Sequence, residues 1–215
     1  LRRALGPDPV ARWTDPDTLL FASHLFELAG DMHGSHDLLR KALRVRTPAL
    51  DLETVALWKH GWPRAYSDVI DKRAGAFGWS PLLFQGLVRE ESAFNPAVTS
   101  WAGANGLSQL MWPTAKETAR RMGIKGLQRS DLVIPDTNVH IGATYFDGLA
   151  SRWKGHLPLA VASYNAGPGA VAKWVDARGQ LPLDAFVEAI PYDETRGYVA
   201  RVVSSWQAYQ LLYGT

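Results

Sequence analysis

The residue best placed for acid–base chemistry is Glu91. Ser80-Pro81 is a strong helix start, a capping hydroxyl followed by proline at the first helical position. At about 100° per residue, Leu83, Phe84, Leu87 and Val88 then form one apolar stripe. Glu91 is three residues after Val88, four after Leu87 and seven after Phe84, so it projects from the middle of that stripe. Glu90 lies about 100° away, toward the stripe's edge. A carboxyl aimed at apolar surroundings has two readings. One is a buried ion pair with an arginine such as Arg196 or Arg201. The other is a general acid, since burial disfavours the charged form and keeps a proton available near neutral pH.

Beyond Glu91 the helix should end by Asn95-Pro96. There follows Ser100-Trp101-Ala102-Gly103-Ala104-Asn105-Gly106-Leu107-Ser108-Gln109-Leu110-Met111. Glycines at 103 and 106 let backbone approach a ligand, and Gln109 carries both donor and acceptor. A tight surface turn would use the same glycines.

These residues need a helical frame, and helix punctuation is dense. Asp15-Pro16 opens a helix that Gly30 closes; a second runs from about Ser35 to Arg46, stopped by Thr47-Pro48; a short one lies near Leu52–Lys59. Gly61-Trp62-Pro63 breaks the pattern and divides residues 1–61 from 62–215. Helices are then predicted near Tyr66–Phe77, Pro81–Ala93, Pro113–Met122, Asp136–Lys154, Leu157–Tyr164, Gly169–Ala177, Leu183–Ala189 and Glu194–Tyr213. Strand-like alternation is nearly absent; Asn95–Leu110 has room for a small hairpin.

Composition narrows the function classes. The 215 residues are 47% hydrophobic and 20% charged, ordinary for a globular protein. No run of eighteen apolar residues occurs. Net charge is +2, with no Lys/Arg stripe, which argues against nucleic acid as partner. The absence of cysteine removes thiol nucleophiles, disulfides and Cys-type zinc sites. Leu1-Arg2-Arg3-Ala4 has no apolar stretch after it and does not read as a signal peptide. His33 and His36, near His24, lack a carboxylate at convincing ligand spacing and read as surface histidines. Gly167-Pro168-Gly169 is no phosphate loop, since no strand precedes it and no lysine follows.

Five motifs in order give a sharper pointer: Glu91-Ser92, Gly103-Ala104-Asn105-Gly106-Leu107-Ser108-Gln109, Asn138-x-x-x-Gly142, Tyr164-Asn165-Ala166-Gly167-Pro168-Gly169 and Glu188-Ala189-Ile190-Pro191. With Tyr192-Asp193-Glu194-Thr195-Arg196-Gly197-Tyr198-Val199 they resemble the lysozyme-like catalytic domain of the soluble lytic transglycosylases (family 1), from about Trp62 to Tyr213. The resemblance implies a mainly α fold: a lysozyme-like domain, α+β with a minimal β element. It implies that residues 1–61 end a longer α-superhelical region. It implies cleavage of the β-1,4 bond between N-acetylmuramic acid and N-acetylglucosamine in peptidoglycan, leaving 1,6-anhydro-muramic ends. No metal or organic cofactor is implied, no partner protein is named, and the address is the periplasm or cell envelope. Glu91 would act as acid and then base, beside Tyr164. Ser100, Gln109, Met111, Asn165 and Glu188 would contact the glycan.

Four positions depart from the family pattern. Ser108 stands where methionine is usual, which would make one subsite more polar. Trp112-Pro113 replaces Pro-Gly, and Glu90 stands where glutamine is common, its phase keeping it off the cleft. Trp58, Trp79, Trp153, Trp174 and Trp206 read as core or interface. Trp101 and Trp112, flanking the glycine motif, are the two candidates for sugar stacking. A water-adding muramidase, a chitin-directed hydrolase and a non-catalytic binding module remain competing functions.

Overall fold

The computed structural model describes residues 15–45, 49–51 and 54–214. Leu1-Arg2-Arg3-Ala4, the stop at Thr47-Pro48 and the start at Leu52 lie outside the described residues. Eleven α-helices are described: α1 (Pro16–Leu28), α2 (Met32–Val45), α3 (Val55–Gly61), α4 (Ser67–Ala74), α5 (Pro81–Ser92), α6 (Trp112–Arg121), α7 (Pro135–Arg152), α8 (Leu157–Ala166), α9 (Pro168–Arg178), α10 (Leu183–Glu188) and α11 (Asp193–Tyr213). A 3-10 turn at Arg129–Val133 leads into α7.

Their ends follow local chemistry. Asp15 accepts from the Thr18 N–H at 2.8 Å, and Ser80 from that of Leu82 at 3.3 Å. Pro81, Pro113, Pro135, Pro158 and Pro168 sit in the first turns of their helices. Helix α2 starts at Met32, earlier than the sequence predicts, because Asp31 accepts from the Gly34 N–H at 2.8 Å.

Helix α5 is the axis of the molecule. The sequence predicts a single apolar stripe, but every residue from Leu82 to Val88 is buried, Gln85 and Gly86 included. Other elements close round it: Gln85 donates to the Ala65 carbonyl at 2.9 Å, and α11 lies against Gly86. A Cβ on Gly86 would sit 3.1 Å from the Trp206 nitrogen, so the bare backbone sets the approach of the two helices. The main core is built here from Phe84, Leu87, Phe94, Phe146, Val161, Val202 and Tyr209.

Helices α1 to α3 carry a separate cluster around Phe26, Leu38, Leu39 and Leu57. Trp62 packs against both clusters. The Tyr213 hydroxyl shares its proton between the Lys59 and Trp62 carbonyls at 3.0 and 2.9 Å, tying the end of α11 to the end of α3. His36 is a correction: it is 1% exposed, not a surface residue. Its Nδ1 lies 3.2 Å from the Gly61 carbonyl, and its ring meets the edge of Phe94. Burial, reinforced by Arg89 and Arg40, holds its pKa well below the ordinary histidine value and keeps it neutral.

Among the described residues the β content is two isolated antiparallel bridges, Thr99 with Asn105 and Asn105 with Leu110. Left-handed residues at Gly103, Gly106 and Gln109 turn the chain every third residue, so no strand extends.

Candidate active site

Helix α5 delivers Glu91 one residue before its end, and Ala93 and Phe94 then take left-handed φ values of 46° and 64°. Two adjacent non-glycine residues in that region are strained, and they persist because Phe94 is fully buried. The turn leaves the Glu91 carboxyl facing α11, where the Tyr198 hydroxyl donates to Oε1 at 2.5 Å.

The two adjacent glutamates have opposite environments. Glu90 accepts from Arg89 Nη1 at 2.5 Å and Ser205 Oγ at 2.6 Å, and Arg201 Nε lies 3.7 Å from its other oxygen. The ion-pair reading therefore belongs to Glu90. Arg196 is committed elsewhere, to the Ile190 carbonyl and Asp193. Among the described residues no cation lies within ion-pair distance of Glu91. Its carboxyl is partly open by surface area yet deep within the protein. Burial pushes its pKa up to about 7; the Tyr198 bond opposes this, Glu90 adds to it, Arg201 opposes it and Glu194 adds. Helical phase separates the carboxylates as the sequence predicts, but the charge of Glu90 still reaches Glu91.

Opposite stands the loop from Val98 to Leu110. Asn138 of α7 clamps it, accepting from the Ser108 N–H at 2.7 Å and donating to the Asn105 and Leu132 carbonyls at 2.9 and 2.8 Å. Gly142 lies under Ser108, where a Cβ would come 2.5 Å from its Oγ. The Asn138-x-x-x-Gly142 motif thus shapes the loop. Ser108 corrects an expectation: it is fully buried and adds no polarity to a subsite surface.

The remaining sequence candidates fall at varied places. The Tyr164 hydroxyl donates to the Ser108 carbonyl at 2.8 Å, and the nearby Glu91 charge helps burial hold its pKa well above the ordinary value. Gln109 spends its amide N–H groups on the Gly106 and Val98 carbonyls at 2.8 and 3.2 Å. Ser100 Oγ accepts from the Ala104 N–H at 3.0 Å, closing a turn. Met111 is exposed at the head of α6. Asn165 accepts from Thr195 Oγ1 at 2.6 Å, joining the end of α8 to α11. Glu188 is exposed and lines a groove with Pro158, Val199 and Val203. Among the described residues no hydrogen bond or ion pair joins it to Glu91. Trp101 is wholly exposed, whereas Trp112 packs beside Leu110 and Ala115 with Arg129 over its ring. No group of three histidine, aspartate or glutamate side chains among the described residues is arranged to hold a metal.

Tyr198 is the site residue that sequence reading passed over. Its signal is the buried series Thr195, Tyr198, Val202, Ser205 and Tyr209, spaced by three or four along α11. Three polar members of that series point at polar partners: Thr195 at Asn165, Tyr198 at Glu91 and Ser205 at Glu90.

The scaffold is mainly helical, and it holds one carboxyl, Glu91, whose pKa is raised and which has no cation within ion-pair distance among the described residues. Residues 68–187 match the Transglycosylase SLT domain family. The chain is 36% identical over 163 residues to the soluble lytic murein transglycosylase of Escherichia coli K12, covering 74% of this chain and 25% of that protein. The crystal structure of the 70-kDa soluble lytic transglycosylase of Escherichia coli superposes with a TM-score of 0.78 at 29% identity, over 89% of this chain and 30% of that one. A lytic transglycosylase Slt from Pseudomonas aeruginosa, solved as an inactive glutamate-to-glutamine mutant, gives a TM-score of 0.77 at 33% identity, over 95% and 32%. The chain belongs to the transglycosylase SLT-domain family. It spans about a quarter of the length of the curated relative it matches. No helix among its described residues is long and apolar enough to cross a membrane.

Proposed function

We propose that this chain is a peptidoglycan lytic transglycosylase that cuts the β-1,4 bond between N-acetylmuramic acid and N-acetylglucosamine and leaves a 1,6-anhydro-muramic end. The observation that carries the reading is Glu91, largely enclosed, with no cation in ion-pair distance among the described residues and a pKa raised to about 7. A group with that pKa can give and take a proton at neutral pH. Glu91 gives its proton to the glycosidic oxygen, and the glucosamine unit leaves as an alcohol. The resulting carboxylate then takes the proton of the muramic C6 hydroxyl as that oxygen closes onto C1. Proton and bonds balance, so no water is consumed.

A second carboxyl is the usual requirement of glycoside hydrolysis. Glu90 is the adjacent carboxyl, and its pairing with Arg89 and Ser205 occupies it. One group acting twice suits a substrate whose own N-acetyl stabilises the oxocarbenium-like centre. Tyr164, held by the Ser108 carbonyl, walls the cleft beside Glu91. We assign Gln109, Ser100 and Asn165 to the glycan's polar groups and exposed Met111 to a sugar face. Glu188, in its separate groove, is given a more distant subsite. The Pseudomonas aeruginosa neighbour, inactive with glutamine in place of one glutamate, supports an essential carboxyl in this fold. We also propose residues 62–215 as the catalytic domain and 1–61 as the end of a superhelical region, supported by the separate clusters on either side of Trp62. The cell envelope, meaning the periplasm, is the compartment that holds such a substrate.

Mass spectrometry of products from digested sacculi tests the reaction. Anhydro ends, one water lighter than reducing ends, are expected; reducing ends would make the domain a muramidase, and no release would leave a binding module.

Tyr198→Phe gives an independent check on the acid. The Tyr198 bond holds the Glu91 pKa down, so removing it raises that pKa further. The alkaline limb of kcat/KM, where the starting proton is lost, should move up by roughly half to one pH unit. A limb that stays put, or moves down, would show that another group sets it.

A further inference from the structure

We propose that the cleft between helices α2 and α3 and the α5–α11 pair is a second binding site, specific for a small ligand bearing a carboxylate. The cleft has a volume of about 860 Å³, and Glu90 lines it whereas Glu91 does not. That volume falls in the range of small-molecule pockets, roughly 300–1,000 Å³. Arg40 from α2, Arg89 from α5 and Arg201 from α11 line it, against the single carboxylate of Glu90.

The polar groups of this wall are under-used. Arg40 Nε, Trp58 Nε1, Trp62 Nε1 and Arg89 Nε are buried donors with no acceptor. They are half of all side-chain atoms left so among the described residues, and all four belong to residues lining this one cleft. The Arg89 side chain is only 9% exposed. Glu90 does not relieve them, because its oxygens already serve Arg89 Nη1, Ser205 Oγ and Arg201. Buried donors are normally satisfied, and four exceptions around one cleft mark a loosely satisfied wall whose side chains would turn outward to meet an acceptor in the cleft. Behind the wall, His36 is pressed toward its neutral form by burial and then by Arg89 and Arg40.

The ligand chemistry follows from the shape of these groups. Guanidinium groups bind a carboxylate through paired N–H donors. Trp58 and Trp62 lie 5.3 Å apart at 33°, with the Arg89 guanidinium 4.6 Å over the Trp62 ring. With Leu43 and Ala200 they give the cleft apolar walls, which favour a carboxylate on a hydrocarbon or sugar body over a bare inorganic anion. Peptides and acidic sugars both carry such a group.

Binding is measured on this 215-residue chain with two probes that contain no cleavable glycosidic bond, N-acetylmuramic acid and acetyl-Ala-Glu. Failure here therefore leaves the cleavage reaction untouched. Calorimetry is run for wild type and Arg40→Gln, and the His36 imidazole resonance is followed by NMR as a local reporter. The expected result is binding of at least one probe, weakened at least about tenfold in Arg40→Gln. The carboxylate should also raise the pKa of His36. A thermal melt of Arg40→Gln matching wild type confirms that the variant is folded, as its partly exposed side chain leads one to expect. Which probe binds tells whether the carboxylate comes from a sugar or a peptide. No binding of either probe up to about 10 mM would overturn the proposal. So would unchanged affinity in Arg40→Gln, an unmoved His36, or equal binding of inorganic phosphate or of N-acetylglucosamine and the amidated peptide.

Discussion

Glu91→Gln is expected to lower glycan cleavage by at least about 10²–10⁴-fold and, above pH 7, to make the protein more stable than wild type. The activity loss follows if Glu91 is the proton donor proposed above, the group among the described residues whose pKa near 7 suits that step. The gain in stability follows from linkage. The folded-state pKa of Glu91 is raised from 4.5 to about 7. Between those values the native protein holds a proton that the unfolded chain has lost, so stability falls as pH rises through this window. The penalty is absent below about pH 4.5 and complete above about pH 7. At about 1.36 kcal/mol per unit, and allowing for the carboxyl's partial exposure, it is on the order of 2–3 kcal/mol. Glutamine carries no such charge, and its carbonyl oxygen still accepts from Tyr198. Denaturant midpoints at pH 5 and pH 8 should therefore be similar at the lower pH and favour the variant at the higher one. Equal midpoints at pH 8 would mean Glu91 is not a desolvated acid, and full turnover on sacculi would remove it from the mechanism. A residue whose loss stabilises the fold and stops the reaction is held there at a cost in stability.

The face of Glu91 was legible in the sequence because a helix repeats every 3.6 residues, and a stripe of Leu83, Phe84, Leu87 and Val88 defines its own centre. The helix ends were legible for a similar reason: Ser80-Pro81 and Gly30 act on their own turns. Tyr198 was less visible, since its importance depends on which neighbour α11 meets. A stripe announces burial without naming the partner. The all-round burial of α5 was hidden likewise, because Gln85 and Gly86 look like surface residues until the Ala65 carbonyl and Trp206 backbone are placed beside them. Residue type alone makes His36 look exposed and Ser108 cleft-facing. Gly61 and Phe94 enclose the first, and Gly142 encloses the second. In each case a small or polar residue was overridden by a contact distant in sequence.

Gly106→Ala should destabilise the protein by about 3 kcal/mol or more, whereas Gly103→Ala should cost only about 1–2 kcal/mol. Both glycines have left-handed φ values, 76° at Gly106 and 85° at Gly103. Backbone strain is therefore similar in the two variants. Their surroundings differ. A Cβ on Gly103 meets nothing within 4 Å, while one on Gly106 collides with the Leu132 carbonyl oxygen and Asn138 Nδ2. Neither obstacle is the loose end of a flexible side chain. Asn138 is fixed by three hydrogen bonds, to Ser108, Asn105 and Leu132, and moving it strands buried groups on each. The damage should extend to the cleft, because the Ser108 carbonyl holds the Tyr164 hydroxyl and the same loop orients Gln109. Gly106→Ala should therefore lower kcat as well as stability, and the alkaline limb set by Glu91 should stay where it is, since the Tyr198 contact lies on the other wall. Denaturant unfolding of the two variants side by side decides the matter. Equal losses would reduce Gly106 to a matter of backbone strain and deprive Asn138 of its part in holding the loop.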